Sequence, residues 1–73
     1  MSPRLPRVTA GEVQRLLEKH GFEVVRQRGS HRILRDPLGH RATLPYHAGR
    51  ILHPKILEAI MEDAGLSGED FEE

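Results

Sequence analysis

Residues 22–44, Phe22-Glu-Val-Val-Arg-Gln-Arg-Gly-Ser-His-Arg-Ile-Leu-Arg-Asp-Pro-Leu-Gly-His-Arg-Ala-Thr-Leu44, decide the fold. Three short runs rich in strand formers, 22–27, 31–35 and 41–44, alternate with turn residues. Arg28-Gly-Ser30 reverses the chain once. Asp36-Pro-Leu-Gly39 reverses it again, with Pro and Gly placed for a tight turn. Pro45 has no N–H to give to a ladder and stops the third run. Connections this short join neighbouring strands antiparallel, so the stretch reads as a three-stranded meander.

Helical periods flank it on both sides. Thr9-Ala-Gly-Glu12 matches the S/T-x-x-E capping box, and Val13, Leu16, Leu17 and His20 follow at i, i+3, i+4 and i+7. This predicts a helix over 10–20 that ends at Gly21. After a loop over 46–52, Pro54 suits the first position of a second helix, with His53 as its N-cap. Leu57, Ile60, Met61 and Ala64 continue that helix to Gly65, and Ser67-Gly-Glu-Asp70 opens a final turn that brings Phe71 back to the core. The order is α-β-β-β-α, an α+β fold in which both helices cover one face of the sheet and the other face meets water. The chain reads as a single domain over 1–73, with a loose basic arm over 1–8 and an acidic turn and tail over 66–73.

A chain of 73 residues with a 37% hydrophobic fraction has one thin core, and domains of this size bury only about 60% of their unfolded-chain surface. There is no Cys, which excludes a cysteine nucleophile and Cys-ligated metal sites. With no apolar run long enough to span a bilayer and no apolar segment behind Met1, the expected location is the cytoplasm. The 11 basic and 11 acidic residues cancel, but not locally. Residues 1–55 hold all 11 bases and four acids, a net charge of +7, and residues 56–73 hold the other seven acids and no base. That division points to a basic surface for a polyanion beside an acidic tail.

The glycines sit at turns and caps, not in a phosphate-binding loop. Histidines at 20, 31, 40, 47 and 53 match no metal-binding spacing, so neither a metal nor another cofactor is expected. His20 reads as a structural residue near a helix end, and His40 as an exposed turn residue. Residues 26–35 differ, because they concentrate Arg26, Arg28, Arg32 and Arg35 around His31. Guanidinium forks suit phosphate, and an imidazole exchanges protons near neutrality. The combination fits cleavage of an RNA backbone, with the histidine as general base or acid and the cations meeting charge on a phosphorane-like transition state. A basic, solvated hairpin with an incidental histidine has the same composition. Strand parity also leaves two placements open. If Ile33 is the core residue, His31 starts on the helix side; if Leu34 is, His31 lies on the open face.

Gly21-Phe22, Arg26-Gln-Arg-Gly-Ser-His31, Asp36-Pro-Leu-Gly39, Leu44-Pro-Tyr-His47 and Ala64-Gly-Leu-Ser67 with Phe71 follow the order and spacing of the HicA family of toxins, the YcfA-like proteins. The chain resembles that family over roughly 9–72. The resemblance implies a double-stranded-RNA-binding-domain-like fold and a metal-independent endoribonuclease acting on messenger RNA, restrained by a HicB-type antitoxin. The family's catalytic histidine is that of Gly-Ser-His, here His31. Two departures stand out. Arg32 occupies a position where relatives often carry a second histidine or an aromatic residue, and the second helix opens Pro54-Lys-Ile-Leu57 instead of Pro-Gly-Thr-Leu. Duplex binding of the double-stranded-RNA-binding kind is poorly supplied, because only Lys55 opens that helix, ahead of Glu58, Glu62 and Asp63.

The site expected from the sequence is therefore His31 for catalysis, Arg26, Arg28, Arg32 and Arg35 for RNA, and His47 or Tyr46 as a second proton-transfer group. The competing reading is a non-catalytic RNA-binding module using the same hairpin; a third is a toxin relic that retains only antitoxin binding.

Overall fold

The structure is a computed structural model that describes residues 5–71. Its elements are α1 (Ala10–Lys19), β1 (Glu23–Arg28), β2 (His31–Arg35), β3 (Arg41–Pro45), α2 (Pro54–Ala64) and a 3-10 turn at Gly68–Phe71. The α-β-β-β-α order and the antiparallel sheet, with strands in the order β1-β2-β3, are those expected, in an arrangement consistent with a double-stranded-RNA-binding-domain-like fold. Small differences have local causes. His20 caps α1 and is not its last turn, β1 runs one residue further to Arg28, and Pro45 closes β3 as its terminal residue.

Both helix starts form as their residues dictate. The Thr9 hydroxyl accepts from Glu12 N–H at 3.3 Å, and Thr9 N–H donates to the Glu12 carboxylate at 3.0 Å. His53 caps α2, its Nδ1 accepting from Lys55 N–H at 3.1 Å. Gly65 ends α2 with φ of 70°, and a Cβ there would come within 3.2 Å of His40 Nε2. Position 65 thus favours glycine by its backbone conformation, and a side chain there would also press on the His40 ring. In the final turn Ser67 N–H donates to Asp70 at 2.7 Å, and Phe71 packs partly buried against the core.

Val13 and Leu17 from α1, Leu34 from β2, Leu44 from β3 and Leu57 from α2 are the largest fully buried side chains. Each contributes about 1.5–3 kcal/mol of burial. Ala42 and Leu44 alternate with exposed Arg41 and Thr43, which fixes the covered face of the sheet. Register carries that face to β2, because Leu34 pairs with Ala42 and Arg32 with Leu44. The helices lean chiefly on β3, whereas β1 is exposed along its whole length.

The arm expected over 1–8 needs correction. Residues 1–4 lie outside the described residues, but Leu5 packs against the core and Val8 is buried, its carbonyl accepting from Leu52 N–H at 2.9 Å. An apolar side chain every third residue draws this segment onto the protein, and a bridge between Thr9 and Ile51 secures it. Of the expected acidic tail, residues 72 and 73 lie outside the described residues. No helix among the described residues is long and apolar enough to cross a membrane.

Candidate nucleic-acid interface

Leu34 is the fully buried residue of β2 and Ile33 is only half-buried, which resolves the parity left open above. His31, Ile33 and Arg35 therefore share the water-facing side. Their cross-strand partners stand on that side with them. Arg28 pairs with His31, which pairs in turn with Pro45; Arg26 pairs with Ile33, then Thr43; Arg35 pairs with Arg41.

A β-bulge at Val25 makes this arrangement possible. In a regular strand Val24, Arg26 and Arg28 would share a face. The extra residue places Val24 opposite Leu34 on the helix side, yet puts Arg26 opposite Ile33 on the open side. His31, Arg26, Arg28, Arg35 and Arg41 are all exposed. None of these arginines joins the ion pairs among the described residues, which link His20 with Asp70 and His40 with Asp36.

Arg32, expected from the sequence among the RNA contacts, stands apart from these arginines. It points to the helix side, where Nη1 donates to Gln14 Oε1 of α1 at 2.6 Å and the guanidinium lies 3.8 Å above the centroid of the Tyr46 ring. Its Nε is buried and makes no hydrogen bond. An arginine held in this way is a clamp between sheet and helix, not a free cation.

Tyr46, expected from the sequence as one candidate for proton transfer, belongs to the same clamp. Its backbone N–H donates to Ser30 carbonyl at 2.6 Å, holding the chain just beyond β3 against the turn that precedes His31. Its hydroxyl reaches α1 at Gly11, where a Cβ would sit 3.0 Å from the oxygen. The phenol thus faces away from His31. His47 lies two residues past Pro45, the cross-strand partner of His31, and is exposed beside a cleft that it lines with Pro45, Arg50 and Ile56.

The other histidines are structural. His40, expected to be simply exposed, is half-buried; its Nδ1 lies 2.7 Å from Asp36 Oδ2 and its ring stands 6.3 Å from that of Phe22. Asp36 Oδ1 also accepts from the N–H groups of Leu38 and His40, at 3.1 and 2.7 Å. Burial pushes the Asp36 carboxyl up, but the hydrogen bonds from His40, its charge and the Leu38 N–H outweigh this and hold the group below its ordinary value of 3.8. Among the described residues no three His, Asp or Glu side chains are grouped so as to hold a metal ion.

Arg41 is the residue that the sequence reading missed. Its signal was present, since Arg-Ala-Thr-Leu alternates polar and apolar and can be read for only one face. Counting back through the turn from Ala42 to Leu34 places Arg41 and His31 on the same side.

Comparison with known families now bears on this basic face. The sequence model of the HicA toxin of bacterial toxin–antitoxin systems matches residues 10–66. The chain belongs to the HicA toxin family. A search of curated proteins found no match. HicA membership makes this a toxin component and implies an antitoxin partner. The match begins at the first residue of α1 and ends just beyond α2, so all the strands that build the basic face lie inside the HicA region.

Proposed function

We propose that this HicA-family chain is a metal-independent endoribonuclease that cuts messenger RNA in the cytoplasm and is restrained by a HicB-type antitoxin. The observation that carries this reading is the pairing of exposed His31 with exposed Arg28 directly across the open face of the sheet. His31 exchanges the proton of the 2′-hydroxyl whose oxygen attacks the neighbouring phosphorus. Arg28 meets the negative charge that grows on the phosphoryl oxygens as that bond forms. The departing 5′-oxygen needs a proton in the same reaction, and His47, just beyond the partner of His31, supplies it. One imidazole starts neutral and the other protonated, and the two exchange these states over the cut. Arg26 and Arg35 extend the cationic surface along the sheet.

The support is twofold: family membership, and an arginine with no ion pair among the described residues beside a histidine on a face that no helix covers. Purified protein is expected to degrade RNA in EDTA, and His31→Ala to lower the rate by about 100-fold or more. Equal rates for the two proteins would end the assignment. Salt-sensitive RNA binding without cleavage or growth arrest would instead identify a binding module.

A further inference from the structure

The far end of the open face, away from His31, carries its own cationic cluster. Arg26, Arg35 and Arg41 line a shallow basin with Val25 and Ile33. Arg35 and Arg41 are direct cross-strand neighbours, and like charges so placed repel each other. Glu23, the other neighbour of Arg35, forms no salt bridge with it. Three exposed guanidinium groups around one basin, none of them ion-paired among the described residues and with no carboxylate in the basin's lining, are arranged for an anion that arrives from outside.

Spacing along the strand identifies which anion. Arg35 is four residues from His31 on the same face, about 13 Å. Half-buried Ile33 and exposed Thr43 lie between, and give a base or ribose an apolar floor. We infer that Arg26, Arg35 and Arg41 form a phosphate subsite for single-stranded RNA, gripping the strand about two nucleotides from the phosphate at His31. A duplex would need cations reaching across a groove from the start of α2, where Lys55 stands alone ahead of Glu58. An open, basic sheet face instead suits one extended strand. The location of the cut in this inference rests on the proposed nuclease reading, but the subsite itself does not.

The test measures binding and cleavage separately. In a His31→Ala background, which spares the RNA, random-sequence single-stranded RNAs of increasing length are titrated against the parent and against Arg35→Gln, Arg41→Gln and Arg15→Gln. Arg15, exposed on α1, controls for loss of one charge. Affinity of the parent should step up once the RNA is long enough to reach from His31 to the basin. Arg35→Gln and Arg41→Gln should each lose about tenfold on the longer RNAs and less on the shortest, and lower the salt slope by about 1. Arg15→Gln should keep the step. Circular dichroism verifies that each variant is folded.

A length step that survives in both Arg35→Gln and Arg41→Gln overturns the inference. So does an equal loss at every length, or a loss of antitoxin affinity with RNA binding intact, which would make the occupant an acidic protein surface. If the step behaves as expected but protein with His31 intact cuts no RNA, the nuclease reading fails and the subsite stands.

Discussion

Arg28 and Arg32 carry the same guanidinium within one hairpin, yet their surroundings give them opposite roles. Arg28 is exposed opposite His31, whereas Arg32 is stacked on Tyr46 and bonded to Gln14. Arg32→Ala should therefore destabilise the fold by about 1–3 kcal/mol, readable in a urea titration, and leave the salt slope of RNA binding unchanged. Arg28→Ala should do the reverse, lowering that slope by about 1 with little effect on stability. Matching effects of the two substitutions would contradict the assignment of faces. Asp36 gives a second prediction at this scale. Its folded carboxyl titrates below its unfolded value of 3.8. The stability it contributes is thus present above that value and is lost as pH falls through the lower folded value. Asp36→Asn should be less stable than the parent at neutral pH, and the gap should narrow as pH drops below about 4. A gap that is constant across that range would exclude Asp36 as a source of acid sensitivity. Neither role was legible from composition. Arginines at 28 and 32 look equivalent until register assigns their faces, and His40 looks like a turn residue until Asp36 is seen wrapped around it.

At the scale of elements, most of the fold could be read in advance because local chemistry and global packing agree. The capping box of α1 forms as its four residues demand, and the Thr9 N–H and hydroxyl hold the Glu12 carboxyl below its ordinary 4.5. Thr9→Ala should cost about 1 kcal/mol, checked by thermal or denaturant unfolding; a change within about 0.3 kcal/mol would mean that tertiary packing alone sets where α1 begins. The bulge in β1 was not legible. Val24-Val25 gives no glycine or other local mark of an extra residue. The bulge leaves Val24 opposite Leu34 on the helix side, while the arginines two and four positions later face water. The segment before α1 escaped for a related reason. Two prolines and two arginines suggest a solvated arm, but burial of Val8 and its bond from Leu52 tie that arm to the loop before α2.

For the molecule as a whole, the division of charge along the chain becomes a division between layers. Exposed arginines of the strands occupy the open sheet face, while Glu58, Glu62 and Asp63 are exposed on α2 in the helix layer. A net charge of zero therefore describes neither side: the open sheet face is predominantly basic and the exposed face of α2 predominantly acidic. The sheet has a further consequence, in the order of assembly. Its strand order repeats the order of the chain, and β3 passes through one loop to α2, which packs on it. Those contacts close short loops, whereas α1 reaches β3 across the entire hairpin, and long closures carry the larger entropic cost. The row that contains Arg28, His31 and Pro45 is built from chain neighbours, while the Gln14–Arg32 bond beneath it waits for α1 to dock. Folding kinetics of point variants should express that sequence, with higher φ-values at the β2–β3 turn than at Leu16 or Leu17. High values at those leucines would reverse it. In the expected order the basic surface takes shape before the clamp that steadies it, so a chain emerging from the ribosome would present its basic hairpin to a partner early.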